Sequence, residues 1–71
     1  METITITTEF IRLQDLMKLA DMVASGGEAK LRIQDGEVLV NGEVCLQRGR
    51  KLRPGDVVTY DGRTCTTAYA S

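Results

Sequence analysis

Histidine and tryptophan are absent from this 71-residue chain, proline occurs once, and aromatic residues make up only 4% of it. Without histidine there is no side chain that ordinarily titrates near neutrality. The usual general base is therefore missing, and so is the usual partner for a serine or cysteine nucleophile. The carboxylates are scattered one or two at a time, with no apolar cluster beside them that would raise a pKa. No catalytic residue and no cofactor are expected. Cys45 and Cys65 cannot build a recognisable zinc site without histidine, so no metal is expected either. They read as reduced thiols packed like small apolar groups on strands, with one disulfide in an exported protein as the alternative. No long apolar run suggests a spanning helix or a secretory signal. The expected setting is the cytoplasm, away from membranes and small-molecule substrates.

The apolar share is 42%, which suits one small domain spanning residues 1–71, close to the lower size for a core without staples. Thr3 to Thr7 alternates β-branched residues and predicts a short strand with Ile4 and Ile6 on one face. Leu13, Leu16, Met17, Ala20 and Val23 fall at helical spacing opposite Gln14, Asp15, Lys18 and Asp21, which predicts a first amphipathic helix. Ser25 is placed to cap a second, shorter helix, with Glu28 completing a capping box and Gly36 just past its end. Ala29 and Ile33 form its expected buried pair, and the two helices are expected to join with almost no linker.

Asn41-Gly42 between Val38-Leu39-Val40 and Glu43-Val44-Cys45-Leu46 is a strong hairpin signal, although either face of that hairpin could meet the core. Arg53-Pro54-Gly55-Asp56 has the residues of a type II turn. It leads into Val57 to Tyr60, then Asp61-Gly62, then a last strand around Thr64 to Ala68. The expected fold class is α+β: strand, helix, helix, then short antiparallel strands.

Charge is unevenly spread. Ala29 to Pro54 holds six basic residues against three acidic ones, a local excess of +3 in a chain whose net charge is −1. Arg48, Arg50, Lys51 and Arg53 fall within six positions, and no Asp or Glu occurs from Val44 to Gly55. A solvated edge strand also carries charge, but it does not need a single sign, whereas a phosphate partner does. In an extended chain Arg48 and Arg50 share one side with Lys51 opposite, and a bend would gather them. Bare backbone N–H groups at Ser25, Gly26 and Gly27 could admit a phosphate where the second helix starts, next to Lys30. Arg32 points elsewhere on that helix. Phe10 is expected in the core, and three aromatics are too few for a single-strand binder that stacks successive bases. Structured RNA, read through backbone and shape, suits the pattern better.

"SGGEAK", "GEVLVNGEV" and "RGRKLRPGDVV" in this order resemble the RNA-binding domain named after ribosomal protein S-four, the αL motif. More narrowly they resemble its short stand-alone bacterial members. Leu13, Leu16, Ser25, Ala29, Ile33, Gly36, Val38, Val40, Asn41, Gly42, Gly55 and Asp56 carry the resemblance, which runs from about Ile11 to Tyr60. It implies a two-helix motif packed on a small, mainly antiparallel sheet. It also implies a non-catalytic protein that binds structured RNA, ribosomal or transfer, through helix pair and hairpin. Many members are basic at the start of the second helix, where this chain has Gly27 and Glu28. That shifts the expected RNA contacts toward Lys30, Arg48, Arg50, Lys51 and Arg53, with Ser25, Gly26 and Gly27 beside them. The alternative is a small adaptor whose basic loop binds an acidic protein partner.

Overall fold

The computed structural model describes residues 1–70. Strand β1 (Glu2–Ile6) opens the chain, followed by β2 (Ile11–Arg12) and the helices α1 (Leu13–Leu19) and α2 (Gly26–Gln34). Five strands complete it: β3 (Val38–Val40), β4 (Glu43–Val44), β5 (Lys51–Leu52), β6 (Val57–Tyr60) and β7 (Arg63–Tyr69). One sheet has the order β1-β7-β6-β3-β4, and β2 pairs with β5 in a separate two-stranded ladder. Only β1 runs parallel to its neighbour, β7, so the α+β class with a mainly antiparallel sheet is what the chain adopts.

Both helices lay their apolar stripes on one face of that sheet. Leu13, Leu16 and Met17 of α1 meet Ala29 and Ile33 of α2 in a core with Val38, Val40, Leu52, Val58 and Cys65. Leu16 is fully buried, and truncating such a side chain to alanine costs about 2–5 kcal/mol. Cys45 and Cys65 are free and buried, as small apolar groups.

The helix boundaries differ from the sequence expectation. The helical pattern runs on to Val23, but α1 stops at Leu19 because Asp21 turns left-handed at φ 58°. Asp21 N–H then donates to Lys18 C=O (3.1 Å) and Met22 N–H to Met17 C=O (2.9 Å). These two bonds form a Schellman closure, with aspartate in the position usually given to glycine. Ala20 and Val23 stay buried without being helical. Arg63 completes this end by donating to the Ala20 and Asp21 carbonyls while pairing with Glu2 at 2.7 Å. Residues 20–25 form a real connection between the helices.

The second helix, expected to be the shorter, is the longer of the two, at nine residues against seven. Ser25 Oγ accepts from Glu28 N–H at 3.2 Å, but Glu28 reaches back to Ala24 N–H (2.7 Å) rather than to the cap residue itself. Gly26 and Gly27 do not steer the chain, since neither has a positive φ. Gly36, at φ 77°, closes α2 by the same two-bond scheme: Gly36 N–H donates to Ile33 C=O and Glu37 N–H to Arg32 C=O.

Asn41 (φ 53°) and Gly42 (φ 85°) make the two-residue turn of the β3–β4 hairpin, both left-handed as a type I′ turn requires. The core face of this hairpin is that of Val38, Val40 and Cys45; Val44 and Leu46 face outward. Asp61-Gly62 repeats the turn between β6 and β7.

Candidate nucleic-acid interface

The basic segment is not the extended strand its spacing suggested. Arg50 N–H donates to Gln47 C=O at 3.1 Å, closing a turn over Arg48-Gly49. The reason lies in the helix it faces. The first N–H groups of α1 have no partner within the helix, and here Leu13 N–H donates to Arg50 C=O (2.9 Å) and Gln14 N–H to Arg48 C=O (3.1 Å). The carbonyls turn inward to cap α1, while the Arg48 and Arg50 side chains are exposed.

The far end of the loop is fastened as firmly. Gly55 sits at φ 98° in the Arg53–Asp56 turn, with Asp56 N–H donating to Arg53 C=O at 3.0 Å. Thr67 of β7 spends its hydroxyl on Arg53 C=O, its carbonyl on Gly55 N–H and its N–H on Asp56 C=O. The Asp56 carboxylate accepts from Arg53 N–H (2.8 Å) and from Asn41 Nδ2 (3.0 Å), tying this turn to the β3–β4 hairpin. The Arg53 N–H bond, aided by Asn41 and by the charges of Arg50 and Arg53, holds the Asp56 carboxyl below the usual range despite some burial. The nearest acid to the loop is therefore engaged in holding the backbone.

Nine lysines and arginines are present. Lys18, Arg32 and Arg63 pair with Asp15, Glu37 and Glu2. Among the described residues the other six, Arg12, Lys30, Arg48, Arg50, Lys51 and Arg53, have no ion-pair partner. All six are exposed. Arg32, set apart on the sequence, is indeed the helix α2 cation withdrawn into an ion pair.

Arg12 was not singled out by the sequence, yet it lies directly opposite Lys51 in the β2–β5 ladder. Opposed residues of an antiparallel pair share a face, and like charges there are destabilising. Nothing local marks Arg12, because what places it is pairing with a strand about 40 residues further on. Lys51 leans away over the Phe10 ring, its Nζ 4.8 Å from the centroid. Phe10 is accordingly not in the core but half-buried at the edge. The short β2 is too small to cover it.

Ser25, Gly26 and Gly27 open α2, at the end of α1 away from Arg48 and Arg50. A side chain at Gly26 would meet nothing within 4 Å, and one at Gly27 only Ser25 Oγ at 3.9 Å. Packing does not require glycine at either position. Lys30 is exposed one turn further on. Among the described residues no three acidic or cysteine side chains converge as metal ligands, and no helix is long and apolar enough to cross a membrane.

Comparison with known proteins identifies the family and the fold. The S4 domain family model matches residues 4–67. A Bacillus subtilis protein named a probable ribosome maturation protein, RlbA, is 52% identical over 59 residues, 83% of each chain. Escherichia coli YbcJ is 35% identical over 54 residues, covering 76% of this chain and 77% of its own. The solution structure of YbcJ, described as revealing an αL motif involved in RNA binding, superposes with a TM-score of 0.73 and 30% identity. It covers 96% of this chain and 87% of YbcJ. On sequence and on fold alike, this chain belongs to the S4 domain family.

Proposed function

We propose that the protein is a non-catalytic, cytoplasmic RNA-binding protein whose single domain holds structured RNA by its backbone. The observation that carries this reading is the set of six unpaired cations, five of which lie on the capping loop, its turn and the β2–β5 ladder. Arg48, Arg50, Lys51, Arg53 and Arg12 face phosphates there, the arginines through two-pronged hydrogen bonds. Lys30 and the N–H groups of Ser25, Gly26 and Gly27 form a second contact at the start of α2. Of ribosomal and transfer RNA, the ribosome maturation name of the Bacillus subtilis relative favours ribosomal RNA or its precursor.

Counterion release gives the test. With about four phosphates neutralised, log affinity for a ribosomal RNA fragment falls against log salt with a slope of roughly −3 to −4. Arg48→Ala and Arg50→Ala together bring that slope to roughly −2, with thermal stability nearly unchanged, because only the carbonyls of these residues cap α1. A double variant that keeps the full slope rejects the assignment.

The adaptor reading has one observation in its favour: Val44 on the outer strand β4 and Leu46 just after it, 56% and 60% exposed, stand shortly before the loop. Partners captured from lysate that persist after nuclease treatment would decide for it.

A further inference from the structure

We infer that the groove beside β2 is a subsite for a single unpaired nucleotide of the bound RNA; this inference rests on the RNA-binding reading above. The groove is a shallow depression, largely open to solvent, of about 520 Å³, lined by Thr8, Phe10, Ile11, Arg12 and Asp15, a size within the usual range of small-ligand sites.

Its lining has two unlike ends over an apolar bed. Phe10 and Ile11 make the bed, and both are half-buried. At one side stands Arg12, without a carboxylate partner; Lys51, opposite it in the ladder, sets its Nζ 4.8 Å over the Phe10 ring rather than lining the groove. At another stands Asp15, whose one ion pair, to Lys18 at 3.4 Å, is exposed and worth little. The Thr8 hydroxyl donates to Phe10 C=O at 2.7 Å, so its oxygen offers the groove an acceptor.

A free anion would be repelled by Asp15, and a purely apolar ligand would strip water from Arg12 and Asp15 without replacing it. A nucleotide matches all three parts. Its phosphate suits Arg12, its flat ring suits the Phe10 and Ile11 surface that lines the groove beside the Lys51 ammonium, and its N–H edge donates to Asp15 and Thr8. One half-exposed aromatic accommodates one base rather than a run of them. That fits an RNA that is mostly paired but offers a bulged or looped nucleotide, the form in which bases of structured RNA are splayed onto aromatic side chains.

Phe10 is the chain's single phenylalanine, so 4-fluorophenylalanine gives one fluorine resonance located at this groove. The full chain is titrated with a hairpin RNA carrying a one-nucleotide bulge, the same hairpin without it, adenosine monophosphate, and inorganic phosphate. Binding of each hairpin is read separately from the anisotropy of a dye on the RNA. The expected result is a resonance shifted by the bulged hairpin and by the mononucleotide, and left in place by the bulge-free hairpin and by phosphate. Phe10→Ala then weakens the bulged hairpin about tenfold and the bulge-free hairpin hardly at all, and Phe10→Trp restores the difference.

A bulged hairpin that binds while the resonance stays still, or two hairpins that shift it equally, overturns the subsite and leaves RNA binding standing. If neither hairpin binds, the RNA reading falls, and the mononucleotide alone decides the groove: no shift, or an equal shift with phosphate, overturns it.

Discussion

Arg12 is a poor residue for its position in three ways, so replacing it should separate stability from binding. It is the N-cap of α1 and makes no side-chain cap bond, it places a cation at a helix N-terminus, and it opposes Lys51 in the ladder. Arg12→Asp reverses all three. A carboxylate at the cap can accept from the N–H of Asp15, the third residue of the helix, an exchange typically worth about 1 kcal/mol. Removing a cation from the positive end of the helix dipole adds about 0.3–1 kcal/mol, and turning a like-charge pair into an opposite one adds about 0.2–1 kcal/mol. All three act on exposed groups and overlap, so a net gain of about 1 kcal/mol is the safe expectation, seen as a rise in Tm of about 4–8 °C for a domain of this size. RNA binding moves the other way, with weaker affinity at low salt and a salt slope shallower by about 1. Thermal melts and anisotropy titrations between roughly 50 and 200 mM salt measure both on one preparation. Arg12→Lys, which keeps the charge, should change neither. An Arg12→Asp protein that melts lower than the parent, or that binds RNA with an unchanged slope, would refute the reasoning.

Two glycine substitutions should have opposite signs: Gly55→Ala forces a side chain into φ 98° and costs about 1–3 kcal/mol, while Gly27→Ala, in the open first turn of α2, gains up to about 1 kcal/mol by denaturant unfolding. The Asp56 carboxyl titrates below its unfolded value, so its contribution is complete above the unfolded pKa and is lost as pH falls through the folded one. Asp56→Ala should therefore be less stable than the parent at pH 7, with the gap closing under acid conditions below about pH 4; a gap that is constant from pH 7 to acid would exclude this linkage. Burial, with a smaller push from the charge of Glu2, raises the Cys65 thiol above its ordinary pKa, so thiol reagents at pH 8 should modify it only in denaturant. Rapid modification of native protein at Cys65 would show that β7 opens.

What could be read from the sequence was whatever the chain decides within a few residues. Ser25, Asn41-Gly42, Gly36 and Pro54-Gly55 each fix a local conformation where it was expected, although Glu28 bonds Ala24 N–H rather than the cap residue. The end of α1 was missed because Ala20 and Val23 are buried at helical spacing although the helix has already stopped at Asp21. Periodicity reports burial, and here burial outlasts the helix. The parallel pairing of β1 with β7 joins the two ends of the chain and leaves no local trace. The candidate site divides in the same way. Arg48, Arg50, Lys51 and Arg53 were visible as a run of one sign. Arg12 reaches them only through the β2–β5 ladder, and Phe10, just before that ladder, is half-buried outside the core.

The loop bearing Arg48 and Arg50 spends its carbonyls on the first N–H groups of α1, and the turn after it is held by Thr67. Its shape is thus settled when the domain folds, and no ordering step remains for the moment of encounter. Such a surface meets its ligand as a template: association is governed by long-range attraction between charges and by orientation, with little delay for rearrangement. In the proposed complex the RNA, as the softer partner, does the adjusting, and under that reading a ligand whose phosphates cannot reach the fixed spacing is rejected by geometry before any base is read.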